Sequence, residues 1–333
     1  MNKKIIFSIT LLFIVFVLAY AWWRGLGGRT PNYNGPTEKV VLQLKWLHQA
    51  QFAGFYAAAQ EGFYREEGLD VTILPVGGDL SEANVINSVD KGEVQFGVVG
   101  GDKVILARAA DEGVKAISVI YQQSPVVFAA LSNSGITKLG DLIGKKMGVE
   151  KGQNTEIVYR AMMRKAGVDT SKVKEVAAPL GIDPLAKGTI DARMFYMINE
   201  TLDAAKNGYE LNIIYPEDYG LQIYADTLIT SDALIAQNRN LVQRFVRATI
   251  KGWNWALLYP EDAGVLSLRY NPHLNAAHEI NMMKASLPLI YTGKSAVGGM
   301  SHETWDKMEN ILLDGKLLKT RIPLEDIFTT QFL

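Results

Sequence analysis

Between Trp46 and Tyr56 the stretch WLHQAQFAGFY places Trp46, His48, Gln49, Gln51, Phe52, Phe55 and Tyr56 within eleven residues. Aromatic faces and side-chain amides at this density suit three roles. They can stack on a flat ring and bond its edge, support acid–base work at His48, or pack a core corner. The residues alone leave all three open. Four other short stretches carry chemistry at the ends of strand-like runs. GGD (residues 100–102) brings Gly101 and Asp102 to a helix start, where backbone N–H groups can hold an anion or a carbonyl oxygen. KGQNTE (151–156) is its counterpart further on, with Gln153 or Asn154 able to cap a helix. YMINE runs from Tyr196 to Glu200, whose carboxylate can accept from a ring amino group or simply favour a helix start. QIYADT holds Tyr224 and Asp226, and the earlier run VIYQQ holds Tyr121 and Gln122.

Signatures of enzymes are near misses. GDLIGKK (140–146) is one residue short of a phosphate loop and lacks the Ser or Thr after its Lys. VVGGDK lacks the third Gly of a dinucleotide fingerprint. The four histidines are His48, His273, His278 and His302, and HETWD at His302 has Asp where a zinc motif needs its second His. No G-x-S-x-G elbow occurs. With no Cys among 333 residues there is no thiolate nucleophile, disulfide, Cys-ligated metal or acylated N-terminal Cys. A formal net charge of −1 gives no broad basic field for nucleic acid. No cofactor is expected.

The elements that position these residues alternate. VVLQLKW, DVTILPV, VQFGVVG and VKAISVIY read as strands separated by helix-like runs. A second series follows Pro125 with KKMGVE, KVKEVAA, DARMFYM and ELNIIY, and YADTLITS resumes the first. Such alternation predicts βαβ units in largely parallel sheets. In RNLVQRFVRATIKGWNWALL, residues Leu241, Val242, Phe245, Val246, Thr249, Trp253 and Leu257 recur at helical spacing and face a core. Two α/β lobes result, 39–123 with 225–333 and 124–224, joined by two chain crossings that make a hinge. The cleft between them is the expected place for a ligand.

Lys3 and Lys4 precede an uncharged apolar run from Ile5 to Ala21, read as a signal peptide or membrane anchor over residues 1–21. Ala19 and Ala21 fit a cleavage site, and Trp22, Trp23 and Arg24 fit an interfacial anchor equally well. Residues 22–38 read as a Gly/Pro/Asn linker. Either reading exports the remainder.

The motif KWLHQAQFAGFYAAAQEGFYREEGLDV, followed in order by GEVQFGVVGGDKVILARA, VIYQQSPVVFAAL, ITKLGDLIGKKMGV, YMINE and YADTLITS, resembles the substrate-binding proteins of ABC importers in the thiamine-pyrimidine-precursor family. That family also includes hydroxymethylpyrimidine synthases and riboflavin-type binders. The resemblance spans about residues 40–263. It implies a two-lobed α/β periplasmic-binding-protein fold of type II, with a heterocycle stacked between aromatics and bonded by a carboxylate. By resemblance Trp46 and Tyr56 face the ring, Asn154 touches it from the second lobe, Glu200 accepts its hydrogen bonds and Asp226 lies at the cleft edge. Gln51, Gly101, Asp102, Tyr121, Tyr196 and Tyr224 complete the expected ligand-binding set.

Departures from the family pattern bear on activity. The synthases use a Cys-rich motif and a histidine that donates ring atoms. This chain has no Cys, and that histidine's place falls near Phe52, with His48 displaced from it. The family's NEP reads NET after Glu200. The expectation is therefore a binding protein, not an enzyme. It takes a formylaminopyrimidine- or hydroxymethylpyrimidine-type ligand to an ABC permease with its ATPase. It works as a periplasmic or tethered monomer, touching membrane only through its N-terminal segment. The alternatives are riboflavin or another nutrient, a membrane-held sensory input domain, and a pyrimidine synthase.

Overall fold

The computed structural model describes residues 35–78, 80–151 and 153–333. The apolar run from Ile5 to Ala21 lies outside the described residues, as does Gly152 of the second helix-start motif. Among the described residues no helix is long and apolar enough to cross a membrane.

Among the described residues ten strands form two sheets. The first holds β1 (Glu38–Gln43), β2 (Leu69–Leu74), β3 (Phe96–Val99) and β4 (Val114–Tyr121). The second holds β5 (Val126–Leu131), β6 (Lys146–Gly148), β7 (Lys174–Val176), β8 (Ala192–Tyr196) and β9 (Leu211–Ile214). The chain then returns to the first sheet as β10 (Ala225–Ser231). The strand orders are β2-β1-β3-β10-β4 and β7-β6-β8-β5-β9, the same arrangement twice. β1 runs parallel to β2 and β3, while β10 is antiparallel to β3 and β4. β6 runs parallel to β7 and β8, while β5 is antiparallel to β8 and β9.

The expected alternation therefore holds, with one correction. Each sheet carries one antiparallel strand, and it is the strand that has just crossed from the other lobe. β5 was expected only as the flank of the hinge. Its residues VVFAAL are buried on both faces except at the end. A strand covered on both sides needs no polar alternation, so the period-two signal is missing.

Helix Arg239–Leu258 shows why lobe 1 holds its shape. Asn238 caps it, its Oδ1 accepting from Leu241 N–H at 3.1 Å. Its stripe is buried as expected except for Leu257, which is half-buried. Phe245 stacks on Phe96 at 3.7 Å between centroids, and Tyr64 stacks on its other side at 5.1 Å. Helix Ala53–Gln60 packs along the same helix, with Phe55 meeting Trp253 edge-on at 5.5 Å. The approach is close enough to require glycine on both helices. A Cβ on Gly252 would lie 2.6 Å from Ala58 Cβ and collide with the Gly54 carbonyl, and one on Gly54 would enter the Trp253 ring. Phe52 and Phe55 are fully buried in this core.

Gly252→Ala should destabilise the protein by about 1–3 kcal/mol through overpacking. Urea unfolding checks this, and an unchanged midpoint would show that the two helices separate freely.

Candidate ligand-binding site

A cavity of about 380 Å³ lies between the lobes. Lobe 1 supplies Lys45, Trp46 and Leu47 from the end of β1, Gln49 and Gln51 from the following turn, and Glu82 from the start of helix Glu82–Asp90. Lobe 2 supplies Glu150, the 153–155 start of helix Asn154–Lys165, Tyr196 at the end of β8, and Asn199, Glu200 and Asp203 from helix Glu200–Lys206 and its cap. Nearly all of these stand at strand ends or helix starts, where successive βα turns of each sheet converge.

The floor is a buried charge cluster. Lys45 and Asp226 pair at 2.9 Å with 4% and 0% of their side chains exposed. Gln51 Nε2 donates to both Asp226 oxygens at 3.0 and 2.8 Å, and Gln49 Nε2 donates to Gln51 Oε1 at 2.7 Å. Lys45 also donates to the Tyr196 hydroxyl at 3.2 Å, crossing from one lobe to the other. Burial pushes the Asp226 carboxyl up, and Lys45 and Gln51 act against that push. Burial also works against the Lys45 charge. Asp226, Tyr196 and Glu82 together outweigh it and hold the ammonium well above its ordinary value. Asp226 has φ +46°, a left-handed conformation that Asp tolerates better than most residues.

The wall is acidic. Glu150 pairs with the buried Arg193, which also donates to the Pro179 and Gly181 carbonyls. Glu82 and Glu200 have no such cation. Glu82 Oε2 accepts from Gly100 N–H at 2.5 Å, and Glu200 Oε2 accepts from Tyr196 N–H at 3.0 Å. Among the described residues neither makes an ion pair. Burial pushes the Glu200 carboxyl up to about 6. Asn154 Oδ1 and Thr155 Oγ1 are buried on the same side without a hydrogen-bond partner among the described residues. The cavity is thus rich in acceptors, and its one lining lysine is committed to Asp226. It suits a ligand that brings N–H donors.

Among the described residues, the polar contacts that join the lobes around it include Lys45 to Tyr196, Asn154 Nδ2 to Asp102 Oδ1 at 2.7 Å, and His278 Nε2 to Asn199 Oδ1 at 2.8 Å. Asp203 lies 3.4 Å from the other His278 nitrogen.

Of the residues expected from sequence, the structure brings Trp46, Gln51, Asn154, Tyr196 and Glu200 to the cavity. Gln51 spends its amide on Asp226. Six others do not line it. Tyr56 is fully buried in lobe 1, stacked on Tyr270 at 4.2 Å, with its hydroxyl 3.0 Å from His48 Nδ1. Gly101 N–H donates to the Tyr224 carbonyl at 3.2 Å, so GGD has no spare donor there for an anion. Asp102 reaches the cavity only through Asn154. The Tyr121 hydroxyl lies 2.9 Å from Ser286 Oγ and 3.3 Å from the Gln51 carbonyl. The Tyr224 hydroxyl accepts from Ser301 N–H at 3.0 Å and meets Trp305 edge-on. Asp226 sits beneath the floor.

Lys45, Glu82, Glu150 and Asp203 were not singled out from sequence, and Asn199 was noted only as the neighbour of Glu200 in YMINE. Lys45 and the Arg193 that holds Glu150 had a legible signal, since each is a lone cation within a strand-like apolar run. Glu82 looked like ordinary helix-start acid.

The fold and the inter-lobe cavity define a two-lobed periplasmic-binding-protein fold. The aliphatic-sulphonate-binding protein SsuA of Escherichia coli superposes with a TM-score of 0.67 at 14% identity, covering 87% of this chain and 91% of that one. SsuA from Xanthomonas axonopodis, solved with MOPS bound, gives 0.68 at 14% identity over 89% and 99%. The chain belongs to the NMT1/THI5-like family, whose model matches residues 49–263. It is 27% identical over 318 residues to the riboflavin-binding protein RibY of Chloroflexus aurantiacus, covering 91% of this chain and 88% of that protein. It is 24% identical over 325 residues to a formylaminopyrimidine-binding protein of Halalkalibacterium halodurans, covering 95% and 97%. A 4-amino-5-hydroxymethyl-2-methylpyrimidine phosphate synthase of Legionella pneumophila is 24% identical over 299 residues, covering 89% and 92%.

A carboxyl whose folded pKa is raised adds stability below its unfolded value, about 4, and loses that contribution as pH rises through its folded value. For Glu200 the loss is centred between about 4 and 6. Glu200→Gln is neutral throughout, so it should gain about 1–2 kcal/mol on wild type between pH ~4.5 and ~7.5. Denaturant unfolding at both pH values measures this. A constant difference would place Glu200 in water.

Proposed function

We propose that this chain is an extracytoplasmic solute-binding protein. It captures a small amine-bearing heterocycle of the formylaminopyrimidine or hydroxymethylpyrimidine type and presents it to an ABC permease with its ATPase. The observation that carries the reading is a cavity between two lobes in which, among the described residues, Glu82 and Glu200 make no ion pair. A ring amino group supplies the donors such a wall requires. A sulfonate would meet carboxylates, with the nearby Lys45 already neutralised by Asp226. Trp46 from lobe 1 and Tyr196 from lobe 2 offer aromatic faces to a flat ring.

Capture follows from the two-lobed build. A ligand bonded from both lobes favours the closed form by its extra contacts there, and that form is what a permease can tell from the empty one. The protein acts as a monomer. Residues 1–21 are either removed on export or kept as the tether. Ring synthesis is not proposed. The chain has no Cys, and Phe52, where a ring-donating histidine would fall, is fully buried.

Calorimetry on the purified protein should give 1:1 binding of 4-amino-5-hydroxymethyl-2-methylpyrimidine or its formylamino counterpart, with a change in Trp fluorescence. An alkanesulfonate should give neither. Glu200→Ala should weaken binding at least about tenfold, the loss of one bond to a charged acceptor. Tight sulfonate binding with silent pyrimidines would overturn the ligand class. Riboflavin binding alone would keep the transport role and replace the pyrimidine.

A further inference from the structure

Asp102 has the chemistry of a ligand-binding residue but does not line the cavity. It is 2% exposed, in the first turn of helix Gly101–Ala109. Its Oδ1 accepts from Asn154 Nδ2 across the lobes at 2.7 Å. Asn154 is 4% exposed and does line the cavity. Asp102 Oδ2 and Asn154 Oδ1 are both buried without a hydrogen-bond partner among the described residues.

An ionised carboxylate can only accept hydrogen bonds. It therefore takes the NH2 of the Asn154 amide and turns the C=O the other way. A carboxamide has one polar end of each kind, so fixing one end fixes the other. The remaining acceptor is buried, and a buried acceptor without a donor costs about 1–3 kcal/mol. A donor on the ligand removes that cost. An acceptor on the ligand adds repulsion to it.

We propose, building on the solute-binding reading above, that Asp102 is a positioning residue that sets the polarity of the cavity wall. Through Asn154 it admits a ligand with an N–H donor at that point and rejects the isostere with a carbonyl there. Because the same hydrogen bond spans the two lobes, ligand polarity and lobe closure are read by one side chain. The donor requirement at Asn154 is separate from that at Glu200, which stands on another helix of lobe 2.

The groups around Asp102 fit this role. Glu82 faces it from helix Glu82–Asp90, Lys45 from the end of β1 and Lys103 from its own helix. Helix His302–Asp314 brings Met308 against neighbouring Gly101. Burial pushes the Asp102 carboxyl up to about 6, with Lys103 and Lys45 acting against the push and Glu82 adding to it. The carboxylate form dominates at neutral pH and is lost in mild acid.

The test uses two arms on the full chain. In the first, calorimetry compares 4-amino-5-hydroxymethyl-2-methylpyrimidine with its 4-oxo analogue. Wild type should prefer the amino compound by about 100-fold or more, as expected of a site that hydrogen-bonds its ligand. Asp102→Asn removes the charge but keeps the shape, which frees the Asn154 amide to turn. The preference should fall at least about tenfold, mainly because the oxo compound gains affinity. A merely structural loss would weaken both compounds alike. An unchanged ratio in Asp102→Asn overturns the proposal.

The second arm needs no ligand. The side-chain 15NH2 resonances of Asn154 in the free wild-type protein should move with pH and have a midpoint near 6. Asp102→Asn should abolish that movement. Asn154 resonances that are the same in wild type and Asp102→Asn at pH ~7.5, where the carboxylate form dominates, would show that Asp102 does not hold the amide and would overturn the proposal whatever the ligands do. If the resonances titrate while wild type binds neither pyrimidine, the proposed polarity of Asn154 is supported and the pyrimidine reading falls.

Discussion

The buried Asp226 carboxylate holds the cavity floor in register, and its partner Lys45 carries the contact on to Tyr196 of the other lobe. It sits where the chain returns from lobe 2 to lobe 1, in a left-handed conformation. Three elements meet on it through Lys45 at the end of β1, Gln51 in the next turn and the start of β10. Removing one partner of such a pair strands a charge in the interior, at a cost of about 3–5 kcal/mol. The arrangement therefore tolerates little change. It also consumes the lysine that would otherwise make the cavity attractive to anions.

That consumption links stability to specificity. Lys45 is spent on Asp226 and Arg193 on Glu150, so the charges left for a ligand are carboxylates. Solved proteins of the same fold include ones described as sulfonate-binding. The fold supplies two lobes and a cleft, and it is agnostic about the sign of what enters. In this chain the cavity-side cations Lys45 and Arg193 are paired internally. Among the described residues the unpartnered Asn154 Oδ1, which can only accept, points the same way.

The architecture was legible where strands alternate with amphipathic helices. The return strand β10 was read correctly because YADTLITS resumes a β pattern after the second lobe. Its antiparallel counterpart β5 was missed, although β10, buried along its whole length, has no more alternation than β5 does. Glu200 and Asn154, expected from a strand end followed by a helix start, do line the cavity. Tyr56 was misplaced because Trp46 and Tyr56 share a motif but not a wall. Asp102 and Asp226 were legible as chemistry, but their partners were not, since Asn154 lies 52 residues from the first and Gln51 lies 175 from the second. Pairings at that range depend on how two lobes meet, and local pattern does not carry them.

The central claim is that the acceptor-rich cleft closes on an amine-bearing ring. A crystal structure of the protein with formylaminopyrimidine tests it most directly. The account predicts the ring between Trp46 and Tyr196, with its amino nitrogen within hydrogen-bond distance of Glu200 or Asn154 Oδ1. A ligand bound outside the inter-lobe cavity, or one whose amino group faces neither acceptor, would contradict it.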